Sequence, residues 1–173
     1  MDVTSGIQVH IDGTTITVQG KTGKVQRTFL MPQVTMKLDG TKLVFATEGM
    51  SKKEKRMLFT TIAHIKNMFK GADEGHLYKL KICSGHFPMN VSVANNELVV
   101  KNFLGEKFPR KLALQKDVTV KVDGDSIVVE SADKELAGRT CAEIEHLTDA
   151  RGKDRRIFQD GIYVIVKDGK SIQ

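Results

Sequence analysis

The sequence contains no tryptophan, and only 6% of its residues are aromatic. Proteins that read single-stranded RNA stack bases on aromatic side chains, so this scarcity argues against sequence reading of that kind. The longest apolar run, residues 162–166, is far shorter than the roughly 20 residues that a membrane span needs. The two cysteines, Cys83 and Cys141, lie far apart, as is typical of free thiols in a reducing cytosol. We therefore expect a cytoplasmic protein with no membrane partner.

The segment 18–24 (VQGKTGK) contains Gly-Lys-Thr, with which a phosphate-binding loop ends. That loop needs a further glycine five positions before the glycine that precedes its lysine, and Thr15 stands there instead. The motif also opens a long helix, whereas residues 24–29 alternate in polarity like a strand. The sequence therefore predicts no nucleotide site, and we expect Gly20 and Gly23 to permit a bend between two strands.

Cys83 and His86 have the C-x-x-H spacing of half a zinc site. A structural zinc site needs four ligands, and no second pair lies at a suitable spacing, which favours a small buried thiol and a loop histidine. A Cys–His nucleophile pair stays open, because catalytic partners meet in space rather than in sequence. No other catalytic constellation is visible. We expect a protein without enzymatic activity, metal or cofactor, with an enzyme that uses Cys83 as the less favoured alternative.

Basic residues outnumber acidic ones by 27 to 21, which gives a formal net charge of +6 and a pI near 9.3. The bases are concentrated: six against one acid in residues 51–70, five against one in 101–116, and four against one in 151–156. Residues 125–149 instead hold seven acids and two bases. This segregation favours a molecule with one anion-facing side. Since no base-reading motif is present, the pattern indicates binding to RNA phosphates and shape.

The chain repeats itself. Val9–Gly23 parallels Val91–Gly105 at an offset of 82 residues, and Val34–Phe45 parallels Val118–Val129 at an offset of 84. In each copy the pattern predicts strands in which polar and apolar residues alternate, joined by Asp-Gly or Asn-Asn turns and followed by one helix. The sequence therefore predicts an α+β fold of two tandem duplicated domains, residues 1–75 and 76–173. Each domain is expected to have small antiparallel β-sheets and one α-helix around a single core.

Local signals predict the helix ends. Ser51 and Glu54 form a capping box that opens the first helix, and Gly71 is expected to stop it, so that residues 71–75 join the halves. One face of this helix is predicted to carry Leu58, Ile62, Ile65 and Phe69. Asp133 is expected to cap the second helix, whose predicted inner face consists of Ala137, Cys141 and Ile144.

The segment Asp154–Val164 (DRRIFQDGIYV) resembles the C-terminal signature of the large ribosomal subunit protein six family. The likeness is to the archaeal and eukaryotic branch, in which eukaryotes count the protein as number nine. It covers essentially the whole chain, including residues 18–20 with Gly23 and Arg27, residues 75–80, and His86–Met89. The chain lacks the Tyr-Lys-Gly-Lys-Gly type of ending usual in bacterial members, and Lys21-Thr22 stands where many relatives have proline.

The resemblance implies a structural role in the large ribosomal subunit, with two α+β domains bound to large-subunit rRNA. It implies a location near the base of the lateral stalk, close to the sarcin–ricin loop and the translation-factor site, among neighbouring large-subunit ribosomal proteins. The alternative is a free-standing RNA-binding regulator built on the same fold.

The resemblance also implies that the second domain makes much of the RNA contact. Carried over by position, this predicts rRNA contacts at Arg151, Lys153, Arg155, Arg156, Lys167 and Lys170. Three further candidate rRNA contacts are chosen for their positive charge, namely Lys107, Arg110 and Lys111. His86 is another candidate. Three hydrophobic residues beside the apolar strand are expected to be core rather than stacking groups: Ile157, Phe158 and Tyr163.

Overall fold

The structure is a computed structural model that describes residues 1–173 except 2, 4, 5, 30–33, 41, 48–50, 155 and 173. The chain divides into two compact units, Met1–Gly75 and His76–Gln173, which we call unit 1 and unit 2. Neither helix of the described residues is long and apolar enough to cross a membrane.

Unit 1 has its strands before its helix. The elements are β1 (Gln8–Asp12), β2 (Thr15–Gln19), β3 (Lys24–Thr28), β4 (Val34–Asp39), β5 (Lys42–Thr47) and α1 (Lys52–Asp73). The first three strands form an antiparallel sheet in the order β1-β2-β3, and β4 pairs with β5. Ile16 and Val18 of β2 and Ile65 of α1 are fully buried and form the centre of this unit's core.

Unit 2 has a similar set of elements, preceded by one strand and followed by two. They are β6 (His76–Cys83), β7 (Asn90–Ala94), β8 (Glu97–Lys101), β9 (Arg110–Ala113), β10 (Thr119–Asp123), β11 (Ser126–Ser131), α2 (Lys134–Leu147), β12 (Gly161–Lys167) and β13 (Lys170–Ser171). A short 3₁₀ turn, Phe103–Gly105, lies between β8 and β9. One sheet has the order β7-β8-β9, and the other has the order β10-β11-β6-β12-β13.

The strand register repeats between the units as the sequence offsets require. Val9 pairs with Val18 in unit 1, and Val91 pairs with Val100 in unit 2, both shifted by 82 positions. The β4–β5 and β10–β11 hairpins match in the same way at an offset of 84. The predicted α+β fold of duplicated segments is confirmed.

Helix α1 begins as predicted and ends later than predicted. Ser51 and Glu54 form the capping box, with the Ser51 backbone N–H donating to Glu54 Oε2 at 2.8 Å. The expected stop at Gly71 is wrong, because the helix continues to Asp73. Gly71 is buried inside the helix and its carbonyl accepts a hydrogen bond from Thr22, so tertiary packing outweighs glycine's weak helix propensity. Gly75, at φ +80°, follows the helix instead.

Helix α2 covers one face of the five-stranded sheet. Asp133 caps it by accepting from the Glu135 N–H at 2.9 Å, as predicted. The expected inner face is also confirmed, since Ala137, Cys141 and Ile144 are buried. Strand β6 alternates across this sheet, with Tyr78, Leu80 and Ile82 buried and the residues between them exposed.

Candidate nucleic-acid interface

The Gly-Lys-Thr loop of unit 1, residues 20–23, is docked on the C-terminal end of α1. The Thr22 backbone N–H donates to the Ala72 carbonyl at 3.1 Å, and the Thr22 hydroxyl donates to the Gly71 carbonyl. A methyl group added to Gly20 would lie 2.3 Å from the Ala72 carbonyl oxygen, so only glycine permits this approach. The last carbonyls of a helix carry partial negative charge, whereas phosphate is bound at helix N-termini. The loop therefore caps a helix and is not arranged to hold phosphate.

The corresponding loop of unit 2, residues 102–109, is four residues longer and is fastened by Arg110. Arg110 Nη1 donates to the carbonyls of Leu147 at 2.7 Å and Asp149 at 3.3 Å, at the C-terminal end of α2. Its Nε and Nη2 donate to the Glu106 carboxylate at 2.9 and 2.6 Å, and its guanidinium lies 4.3 Å from the centre of the Phe103 ring. The hydrogen bond from Arg110 holds the pKa of Glu106 below its usual value. Four intramolecular hydrogen bonds favour a structural role for this arginine over a phosphate contact.

Three loops of unit 2 meet at one end of the domain, and we call residues 84–89, 102–109 and 148–160 the loop end. The Asn102 side-chain amide donates to the Pro88 carbonyl at 3.0 Å, which joins the first two loops. The Phe87 ring packs beside Gly105, where an added methyl group would lie 3.5 Å from it. Arg110, just beyond the second loop, is bound to the start of the third. The loop end is therefore tied together by hydrogen bonds and ring packing.

His86 binds Asp160 at the centre of the loop end. His86 Nδ1 lies 2.6 Å from Asp160 Oδ2, and the backbone N–H groups of Gly85 and His86 both donate to Oδ1. Asp160 is buried, and burial alone would raise its pKa, but the hydrogen bonds from His86 and Gly85 outweigh burial and lower the pKa. The His86 ring, 40% exposed, lies 4.9 Å from the Phe158 ring. His86, which the sequence predicts as an RNA contact, therefore also helps to hold the loops of the loop end in place.

Three predicted contacts on the loop end are exposed bases without an anionic partner. Lys107, Arg151 and Lys153 each lie on the surface, and within the described part of the chain none of them forms an ion pair. The ammonium group of Lys153 lies 5.3 Å from the centre of the Phe158 ring, a contact that leaves its charge uncompensated. These side chains are available to an external anion.

Arg156 is exposed but already paired. Its guanidinium donates to both oxygens of Asp154, at 3.1 and 2.8 Å, and its backbone N–H donates to the same carboxylate at 3.0 Å. These bonds lower the pKa of Asp154. The pair is 90% exposed on the arginine side, so a phosphate could replace the carboxylate at little cost. The predicted contact Arg155 lies outside the described residues.

The other predicted contacts lie elsewhere on unit 2. Lys111, on β9, faces Glu97 at 3.8 Å. Strand β12 begins at Gly161, which follows the loop end and stands opposite Cys83. At the other end of β12, Lys167 stands opposite Tyr78 and pairs with Lys170 across the β12–β13 hairpin. Lys167 and Lys170 are therefore at the far end of the central strand, and the structure does not bring them together with the loop end.

A second basic surface was missed by the sequence reasoning. Lys79 and Lys81 of β6 and Lys121 of β10 are exposed on the sheet face that α2 leaves open. Lys79 and Lys121 both stand opposite Val128, so they flank one residue of the intervening strand. The signal was present in the sequence, because lysine alternates with leucine and isoleucine in β6.

Two of the three expected core residues are exposed. Ile157 is 62% exposed because it lies in the loop before β12 rather than in the strand. Tyr163 is 40% exposed because it stands beside Lys81 on the open face of the sheet. Phe158 is half-buried under His86. The prediction that they are core residues is wrong for Ile157 and Tyr163.

The cysteines form no site with the histidine that follows. Cys83 is half-buried and has no hydrogen bond to His86, whose imidazole is bound to Asp160. Cys141 is buried, and burial raises its pKa to about 12, so it is a neutral thiol at physiological pH. Among the residues that the structure describes, no group of three or more His, Cys, Asp or Glu side chains could hold a metal ion.

Comparison with known proteins places both units in one family. The family model described as Ribosomal protein L6 matches residues 3–75 and 87–161, one segment in each unit. Large ribosomal subunit protein uL6 of Methanococcus vannielii is 38% identical over 170 residues, which cover 98% of this chain and 93% of the relative. The protein of the same name from Methanothrix thermoacetophila is 38% identical, with 96% and 95% covered, and that from Haloarcula marismortui is 39% identical, with 94% and 90% covered. The chain therefore belongs to the ribosomal protein L6 family, in its archaeal and eukaryotic branch, whose members are structural and not enzymatic components.

Proposed function

We propose that this protein is a structural constituent of the large ribosomal subunit and that it binds large-subunit rRNA through the loop end of unit 2. The names of its relatives support the first part, because they are called large ribosomal subunit proteins. The observation that carries the second part is the charge left over at the loop end.

The carboxylates of the loop end are largely satisfied inside the protein. Those with a partner shown above are Glu106, Asp154 and Asp160. The bases without an anionic partner are Lys107, Arg151 and Lys153. The Glu106–Arg110 and Asp154–Arg156 pairs cancel in charge. The three bases then outnumber the two remaining carboxylates of the loop end, Asp149 and Asp160, so the surface presents a net positive charge. Such a surface gains affinity for RNA phosphates by releasing the counterions that the phosphates hold.

The loop end also holds its charges in place. Arg110 fastens the second loop to the third, and Asp160 fastens the third loop to the first. A surface ordered before binding loses less conformational entropy when it meets its ligand. Unit 2 can thus bridge phosphates of separate RNA helices and hold their relative geometry. Lys79 and Lys81 on the open sheet face, with Lys121 beside them in an ion pair with Glu130 at 3.6 Å, provide a second basic surface for the same purpose.

The place of binding is part of the proposal and follows from the family resemblance. It is the region near the stalk base, the sarcin–ricin loop and the translation-factor site, with neighbouring ribosomal proteins and translation factors close by. The cellular location is then the cytoplasm, as part of the ribosome.

The experiment compares two double charge reversals. Arg151→Glu with Lys153→Glu alters the loop end, and Lys52→Glu with Lys53→Glu makes the same change of charge at two exposed positions on α1 of unit 1. Binding to a large-subunit rRNA transcript is measured by filter retention between 50 and 200 mM salt, roughly the range over which phosphate contacts are lost. We expect the first variant to lose affinity and to show a shallower salt dependence, by about 0.7–0.9 in log–log slope per lost phosphate contact.

The control variant should retain most of the affinity and the slope of the natural protein. Equal weakening of both variants would indicate attraction by net charge alone and would contradict a site at the loop end. Charge reversal of Arg155 and Arg156 is expected to flatten the slope as well. In a sucrose gradient of a cell lysate, the protein should sediment with large subunits and leave them only at high salt. A protein that remained near the top would be a free-standing regulator instead.

A further inference from the structure

Phe108 is the most exposed large hydrophobic side chain of the described residues, at 84%. It stands in the second loop of the loop end, between Lys107 and Pro109. Burial of a phenylalanine side chain is strongly stabilising, and this one gains almost none of that stabilisation within the chain. A ring at a loop tip can gain this burial only against a binding partner.

The loop presents Phe108 from a fixed stem. Phe103, at the start of the loop, is only 1% exposed and lies under the guanidinium of Arg110, which is itself bound to α2. Asn102 and Gly105 adopt left-handed backbone conformations, at φ +59° and +77°, so the chain turns at this stem. The loop is the counterpart of residues 20–23, which fold back onto α1. It is four residues longer, and Phe108 lies in the part that unit 1 lacks.

The loop end that carries Phe108 combines aromatic rings with positive charge. The Phe87 ring, 45% exposed, lies beside Gly105 of the same loop as Phe108, and the adjacent His86 is 40% exposed. Lys107, next to Phe108 in the chain, has no anionic partner among the described residues. A ring beside an ammonium group suits a nucleotide, whose base stacks on the ring while its phosphate meets the charge.

We infer that Phe108 stacks on an unpaired base of the RNA and that Lys107 binds a phosphate of the same strand segment. The inference rests on the proposed rRNA binding and adds a contact that is not electrostatic. An apolar pocket on a protein is the less suitable occupant, because the bases without an anionic partner at the loop end, Lys107, Arg151 and Lys153, would lose hydration against it without gaining a partner, whereas they attract phosphate. Stacking on a single base requires no sequence reading, so it agrees with the low aromatic content of the chain.

The test measures the binding of Phe108→Ala to the large-subunit rRNA transcript across the same salt range. Stacking is worth enough per base that affinity should fall by about 5- to 150-fold at every salt concentration, with the slope unchanged. Phe108→Tyr keeps a stacking ring and should bind like the natural protein. Phe108→Leu keeps an apolar side chain without a flat ring and should bind as weakly as Phe108→Ala. Phe59→Ala is the matched control, since Phe59 is 58% exposed on α1 of unit 1.

Each outcome decides between the readings. Natural affinity in Phe108→Ala, with normal rRNA binding otherwise, overturns the stacking inference and leaves the proposed function intact. Rescue by Phe108→Leu also overturns it, because an apolar pocket would then be the partner. Failure of the natural protein to bind the transcript removes the proposed function and the inference together. A fall in affinity with Phe108→Ala that Tyr restores and Leu does not supports stacking.

Discussion

The contact between Gly20 and the end of helix α1 gives a sharp prediction about unit 1. In Gly20→Ala the new methyl group would lie 2.3 Å from the Ala72 carbonyl oxygen and 2.7 Å from its carbon. Both atoms belong to the backbone, so no side chain can rotate away to relieve the clash. The loop must instead move off the helix, which breaks the hydrogen bonds from Thr22 to the Gly71 and Ala72 carbonyls.

The expected cost combines two effects. Overpacking against a rigid neighbour costs about 1–3 kcal/mol. Each of the two hydrogen bonds contributes about 0.5–1.5 kcal/mol. Gly20→Ala should therefore lower the free energy of unfolding of unit 1 by roughly 2–6 kcal/mol. A 75-residue unit has only about 4–11 kcal/mol in total at typical stability per residue, so the variant should be close to unfolding.

The two units can be observed separately in urea. The chain's two tyrosines, Tyr78 and Tyr163, both lie in unit 2, so tyrosine fluorescence reports that unit alone. Circular dichroism at the helix band is weighted towards unit 1, because α1 has 22 residues and α2 has 14. We expect Gly20→Ala to lose helix signal at low urea while the tyrosine transition stays in place.

Gly13→Ala is the control for glycine loss in the same unit. Gly13 has a left-handed conformation at φ +57° and no atom within 4 Å of an added methyl group, so its replacement brings backbone strain of about 1–2 kcal/mol without a clash. If Gly20→Ala and Gly13→Ala unfolded at the same urea concentration, the reasoning from close approach would be refuted.

Further predictions concern the thiols, the buried carboxylate and the fastening arginine of unit 2. At pH 8 a disulfide reagent should modify the half-buried Cys83 in the native protein and reach Cys141 only after denaturation, since burial raises the pKa of Cys141 to about 12; equal rates would contradict this. Because the folded pKa of Asp160 is lowered, its stabilisation is present above the unfolded pKa near 3.9 and is lost as pH falls through the folded value. Asp160→Asn should thus cost about 1–3 kcal/mol in urea at pH 7 and noticeably less near pH 3. Arg110→Lys should increase hydrogen exchange in residues 102–109 while β6 stays protected, because an ammonium group cannot replace the bonds to Glu106 and α2.

Local signals in the sequence predicted the hairpins and the helix starts. The Asp-Gly and Asn-Asn turns set the register, and Asn95 and Asn96 both have the positive φ that such a turn requires. Ser51 and Asp133 cap their helices because capping depends on residues only two or three positions away. These features need no knowledge of the rest of the fold.

The parts that depend on distant contacts could not be predicted in this way. Helix α1 continues through Gly71, whose carbonyl accepts a hydrogen bond from Thr22, 49 positions away. Arg110 was predicted as an RNA contact from its charge, and its four internal bonds include two to carbonyls 37 and 39 positions away. The charge of a residue shows that it attracts anions. Only the fold shows whether the residue already forms hydrogen bonds or ion pairs within the protein.

The strand order of unit 2 has a consequence for protein synthesis. Strand β6 comes first in this unit but lies in the middle of its sheet, between β11 and β12. Both edges of β6 stay unpaired until residues 126–131 and then 161–167 have left the ribosome, whereas every described strand of unit 1 finds its partners before residue 48. An unpaired strand edge is prone to association with other chains, so a nascent chain stalled before β12 would expose a ready site for aggregation. Pairing with β11 and β12 thus protects β6 against misassembly.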